Sequence, residues 1–220
     1  MPKRSKFNLA DLPPAPDLTF ETDLWQRGFH YLAGIDEAGR GALAGPVYAA
    51  AVILPSTHAD LLVALQGVND SKKLTPAQRA HWAAQIPRVA VTWAIASASA
   101  AEIDQHGILP ATHLAALRAL QALMPAPEAL LLDYLTLPSI SLPQTPLIKG
   151  DARSLSIAAA SILAKTARDA HLNSLEQEYP GYGFSKHKGY GTPQHLAALA
   201  ALGPSLVHRR TFAPLQPRLF

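Results

Sequence analysis

Short apolar runs that end in an acid constrain this chain most. Ala129–Asp133 (ALLLD) is apolar until its last position. It is too short for a stable helix and has the character of a central, doubly covered strand. Residues 32–36 (LAGID) take the same form, and a second acid, Glu37, follows at once. A third acidic position, Asp151, comes just past residues 146–149, which read as another short strand. Acids at the ends of neighbouring strands converge on one edge of a sheet. Several carboxylates in one place repel unless a cation neutralises them.

The rest of the chain fits a sheet with helices. Residues 45–54 read as a second strand, with Pro46 at its start, where a missing N–H is tolerated. Residues 90–97 (AVTWAIAS) alternate and read as a third. Thr75 and Pro76 open a helix as cap and first position, and Thr192 and Pro193 repeat that start for a last helix ending near Leu202. Residues 108–124 carry apolar side chains at helical spacing. Residues 151–178 read as mostly helical, with Ala158, Ser161 and Ile162 toward the core. This order predicts an α/β fold. The first three strands lie close enough for an antiparallel meander, and later strands alternate with helices. Residues 1–28 are Pro-rich and read as an irregular arm, with one domain over 29–220.

Composition removes several classes of function. There is no cysteine, which excludes disulfide scaffolds, thiolate metal sites and thiol nucleophiles, and suits a reducing cytoplasm. The longest apolar run, residues 47–54, falls far short of the roughly 20 residues of a membrane span. The basic first residues have no apolar stretch behind them, so no secretory signal is expected. Charge is uneven: nine Lys/Arg stand against four Asp/Glu from Lys149 onward, and ten against twelve before it. A basic C-terminal third beside acidic strand ends fits a polyanion partner, or simply a solvated basic surface.

Hard oxygen donors select Mg²⁺ or Mn²⁺. No HExxH motif or paired histidines at ligand spacing are present for zinc. A carboxylate-held ion pair suits phosphoryl transfer. Each acid alone has a plainer reading as a cap or salt bridge, and Asp151 could cap the following helix. Gly39, Arg40 and Gly41 would let backbone approach a hydroxyl or phosphate, or form an ordinary turn. Lys72, in the loop NDSKK, could meet a phosphate or stay in solvent. Residues 182–192 (YGFSKHKGYGT) mix aromatics, glycines and cations, which suits stacking on sugars or bases, though Tyr182 and Phe184 also fit a core. His208, Arg209 and Arg210 read as a surface patch.

Five blocks carry a resemblance: GIDEAGRGALAGPVYAAAVIL, NDSKKL, KGDARSLSIAAASILAK, YPGYGFSKHKGYGT and HRRTFAP. In this order, over about residues 30–214, they resemble the bacterial ribonuclease HII family. The resemblance implies a ribonuclease H-like fold: a mixed five-stranded sheet flanked by helices, with a C-terminal helical extension. It implies an endoribonuclease that hydrolyses the RNA strand of RNA–DNA hybrids. It also implies incision 5′ of single ribonucleotides in duplex DNA, leaving 5′-phosphate and 3′-hydroxyl ends, with Mn²⁺ or Mg²⁺ as cofactor. Asp36, Glu37, Asp133 and Asp151 match the family's metal-binding acids. Gly39, Arg40 and Gly41 match the motif that senses the ribose 2′-hydroxyl, and Tyr190 the tyrosine at the RNA–DNA junction. Where the family pattern has Gly after the third acid, this chain has Tyr134. Neighbouring side chains on a strand point to opposite faces, so Asp36 could be a central ligand bridging both ions while Glu37 reaches one from the strand's end. A monomer is the default state.

Two other classes share some of these features. A phosphoacceptor receiver domain also has an acid pair, a later strand-end Asp and a Lys, here Lys149. It leaves Gly39–Arg40–Gly41 and the Lys-His-Lys loop without a role. A nucleic-acid binding module without catalysis is the second.

Overall fold

The computed structural model describes Asn8 and residues 12–216. Five strands form one sheet: β1 (Leu32–Ala38), β2 (Val47–Ile53), β3 (Thr92–Ala98), β4 (Ala129–Asp133) and β5 (Gln144–Leu147), in the order β3-β2-β1-β4-β5. β1 and β4 run parallel, as do β4 and β5. The link from β1 to β2, residues 39–46, is too short for the crossover that parallel neighbours need, so these two run antiparallel and the sheet is mixed. β2 and β4 are buried along nearly their whole length, as their continuous apolar sequences require.

Eight α-helices are present among the described residues: α1 (Thr19–Gln26), α2 (Leu61–Ala64), α3 (Pro76–Val89), α4 (Ala100–His106), α5 (Ile108–Gln121), α6 (Leu155–Glu178), α7 (Phe184–His187) and α8 (Pro193–Leu202). Thr75 caps α3 in a capping box with Gln78, and Ser99 does the same for α4 with Glu102. Thr192 caps α8, with Pro193 at its first position. Short 3₁₀ turns cover Ser71–Lys73 and Gly150–Ala152.

The chain divides into two compact units. The first comprises Met1–Asp36, Ala51–Trp93 and Leu123–Ile162; the second comprises Glu37–Ala50, Ala94–Ala122 and Leu163–Phe220. In the first, α1 lays Leu24 against Leu32, Leu131, Leu147 and Ile157. Gly34 lets the start of α6 lie against β1: a Cβ there would stand 2.3 Å from the Ser156 carbonyl carbon. In the second, Ala44, Leu172, Leu175, Tyr182 and Phe184 form a cluster in which the two aromatic rings stack at 5.3 Å. Tyr182 and Phe184 are thus core residues.

Three expectations need correction. The stretch 1–28 is not irregular throughout, because α1 occupies part of it and is docked. Glu21 of α1 is fully buried and accepts hydrogen bonds from Ser154 Oγ, Ser156 Oγ and Ser156 N. Residues 1–7 and 9–11 of that arm lie outside the described residues. β5 begins and ends two residues earlier than expected, because Lys149 turns left-handed and closes the strand. The third correction concerns His208 and Arg209, which are buried rather than a surface patch.

Candidate active site

β1 and β4 are neighbours with Ile35 opposite Leu132, which sets Asp36 beside Asp133. Asp133 ends β4, whereas β1 runs two residues past Asp36 to Ala38 rather than ending at the acid as expected. β4 and β5 pair Asp133 with Leu147, and the chain then turns through Gly150–Ala152 to deliver Asp151. The Gly150 amide donates to Asp133 Oδ1 at 2.8 Å and fixes that carboxylate relative to the turn. One oxygen each from Asp36, Asp133 and Asp151 lies within 4.8 Å of the others. Asp36 and Asp151 are only 4% and 2% exposed, so solvent screens them little.

The electrostatics show what this costs. Asp151 Oδ1 is buried with no hydrogen-bond partner. Burial, then the charges of Asp133 and Asp70, push its carboxyl up to about 6. Lys72 opposes this, with its Nζ 3.5 Å from Asp151 Oδ2 and 3.9 Å from Asp70 Oδ1. Burial works against the Lys72 ammonium, but Asp70, Asp36, Asp151 and Asp133 outweigh it and hold its pKa up. Lys72, expected to meet a phosphate, is thus placed among the acids. Its loop is fixed by Ser161 Oγ, which donates to Ser71 Oγ, and by Arg79, which donates to the carbonyls of Ser71 and Leu74. Asp70 was not singled out in the sequence, although it lies within NDSKK. A buried oxygen without a partner and three convergent carboxylates form a donor set that fits a hard divalent cation.

In the second unit, Glu37 accepts from Arg40 Nη1 at 3.2 Å. The backbone around Gly39, Arg40 and Gly41 is held by two buried arginines. Arg209 Nη2 donates to Gly39 O at 2.8 Å, Nη1 to Arg40 O at 2.9 Å and Nε to Gly45 O at 2.9 Å. Arg168, from α6, donates to Pro46 O and Ala44 O. Gly39 has φ +96°, and a Cβ on it would stand 1.9 Å from Arg168 Nε. In a trans peptide the C=O and the next N–H point opposite ways. Because Arg209 draws in the carbonyls of Gly39 and Arg40, the amides of Arg40 and Gly41 face away from it. Only an arginine fork spans three carbonyls in this way.

Tyr190 is placed in the same unit. The Arg168 guanidinium lies over its ring at 5.3 Å, and Gly189 O accepts from the amides of Leu43 and Ala44. A chain of histidines supports it. His208 Nδ1 accepts from Ser205 N, so neutral His208 donates through Nε2 to His195 Nε2, 3.0 Å away. His195 then donates through Nδ1 to Tyr190 O at 3.0 Å. Burial, and then the neighbouring His195, hold His208 down to about 4, and burial lowers His195. Arg168, Arg209, His195 and His208 are the residues that sequence reasoning missed as supports of this region. His208 and Arg209 lie within the block HRRTFAP, whereas Arg168 and His195 lie outside all five blocks and carried no local signal.

A family profile described as Ribonuclease HII matches residues 33–214. The chain is 57% identical over 201 residues to Ribonuclease HII of Synechococcus sp., covering 91% of this chain and 90% of that one. The chain belongs to the ribonuclease HII family. Ribonuclease HII of Chloroflexus aurantiacus is 54% identical over 203 residues, covering 91% and 94%. The crystal structure of ribonuclease H2 from Pyrococcus horikoshii OT3 superposes with a TM-score of 0.71 at 25% identity, covering 84% of this chain and 94% of that one. The fold is therefore ribonuclease H-like and the protein is a ribonuclease, a hydrolase. No helix among the described residues is long and apolar enough to cross a membrane.

Proposed function

We propose that this chain is a divalent-metal-dependent endoribonuclease acting on RNA–DNA hybrids and on duplex DNA that carries single ribonucleotides. In the second case it cuts on the 5′ side of the ribonucleotide and leaves 5′-phosphate and 3′-hydroxyl ends. The observation that carries the reading is the convergence of Asp36, Asp133 and Asp151 around a buried, unpartnered carboxylate oxygen.

Asp36, Asp133 and Asp151 would hold Mg²⁺ or Mn²⁺, with Glu37 as the fourth acid that the family resemblance assigns. Two such ions, when bound, supply Lewis acidity to the scissile phosphate and to the attacking water. The residues of the chain do the rest. Asp133 is oriented by the Gly150 amide. Lys72 balances charge beside Asp151. The amides of Arg40 and Gly41, turned outward by Arg209, are the donors proposed to recognise a 2′-hydroxyl. Tyr190, held by Arg168 and His195, is the surface proposed to pack at the junction of ribonucleotide and deoxyribonucleotide. The protein is proposed to act as a monomer in the cytoplasm.

A DNA duplex carrying one ribonucleotide tests this, incubated with Mn²⁺, with Mg²⁺ and with EDTA beside an all-DNA control. The expected result is a metal-dependent cut 5′ of the ribonucleotide, absent from EDTA and from the control. Hybrid binding without any cut, by folded protein with metal present, would instead favour a binding module.

A further inference from the structure

Two residues beside the acids adopt backbone conformations that their side chains disfavour. Tyr134, directly after Asp133, has φ +58°, and Lys149, two residues before Asp151, has φ +56°. The Leu135 amide donates to Asp133 O at 2.7 Å, which closes a three-residue turn centred on Tyr134. With positive φ this is the rare, strained form of the γ-turn. The Tyr134 amide donates to Leu147 O, pinning the turn against the end of β5. Glycine would take this conformation without steric penalty, and a bulky aromatic residue would not. The fold therefore maintains strain at Tyr134.

Burial does not explain it. Tyr134 is 74% exposed and Ile148 43% exposed, and Lys149 is exposed as well. β4 and β5 end at the paired residues Asp133 and Leu147, so Tyr134 and Ile148 directly follow the two strand ends. An aromatic, an aliphatic and a cationic residue thus line the ends of β4 and β5, next to two of the clustered carboxylates. No core contact repays the strain of Tyr134, and strained exposed residues of this kind concentrate at functional sites.

We propose that Tyr134 and Lys149 form an additional substrate-contact edge, in which the Tyr134 ring packs on a sugar or base of the nucleic acid and Lys149 pairs with a backbone phosphate. Every base has a face that an aromatic ring can cover, so this contact adds affinity without sequence preference. The cation adds a salt-dependent phosphate contact. The proposal rests on the hydrolase reading above for its ligand, and its test separates the two.

The experiment compares the full chain with Tyr134→Gly, Tyr134→Phe and Lys149→Gln. It measures kcat and KM on a hybrid, Kd for the same hybrid in EDTA by fluorescence anisotropy, and the urea midpoint. Tyr134→Gly is expected to raise KM and Kd about fivefold, with kcat less affected than KM and the urea midpoint unchanged or higher. Tyr134→Phe is expected to keep the parent affinity. Lys149→Gln is expected to lower the slope of log Kd against log salt by about one. An unchanged Kd for Tyr134→Gly overturns the proposal. So does a fall in kcat together with a lower urea midpoint, which would make Tyr134 a structural support of Asp133. If the parent chain cuts no RNA-containing substrate yet its Kd depends on Tyr134, the hydrolase reading fails and the contact edge stands.

Discussion

Asp151 joins a buried position, an unpartnered oxygen and two like-charged neighbours in one side chain. Asp151→Asn removes the repulsion while keeping the shape. In EDTA that variant is expected to be at least as stable as the parent, by about 1 kcal/mol, while its cleavage falls by orders of magnitude. A denaturant titration beside a cleavage assay checks this, and a large loss of stability would mean that Asp151 holds the fold rather than a metal. Arg209 gives the opposite pattern. Arg209→Ala removes the arginine donors from three carbonyls, those of Gly39 and Gly45 in buried residues, and is expected to cost about 3 kcal/mol. Arg209→Lys supplies one donor group where a fork is needed, so only partial recovery in the same titration is expected. Asp36 and Asp133 were legible in the sequence because each ends an apolar run, and Asp151 because it follows a short strand closely. Arg209 was not, because its partners lie 164 to 170 residues away and no local pattern marks an arginine that becomes buried.

At the level of elements, legibility followed local signals. β4 has the bounds its apolar run announces, and α3 and α8 begin at their Thr-Pro starts. α4 was overlooked although Ser99 and Glu102 make a capping box, because it is short and follows a strand directly. α1 was hidden by the prolines before it, since its burial depends on partners in β1, β4, β5 and α6. Leu24→Ala should therefore cost about 2–4 kcal/mol, as for a core residue. A dispensable arm would show a change near zero in thermal or urea unfolding. Docking also explains Glu21, whose carboxyl is pushed up by burial despite the hydrogen bonds from Ser154 and Ser156.

The whole molecule should respond to pH through its buried histidines. His208 is held down to about 4, mainly by burial and then by His195. The unfolded chain takes up that proton near 6.5, so stability is complete above this pH and is lost as pH falls toward 4. Between pH 7.5 and 5 the loss from His208 is about 2 kcal/mol. Urea midpoints at the two pH values measure it, and His208→Asn should flatten the dependence. A parent chain with no difference would contradict the neutral histidine chain that supports Tyr190. The basic C-terminal third and the acidic strand ends belong to the same proposal, a polyanion held beside a metal site. Asp36 tests that proposal most directly, because it is buried beside Asp133 in the carboxylate cluster proposed to hold the metal. Asp36→Asn and the parent should be compared on a DNA duplex carrying one ribonucleotide, with Mn²⁺. The account predicts a folded variant whose cleavage falls by about 10³-fold or more. Full Mn²⁺-dependent cleavage by Asp36→Asn would contradict it.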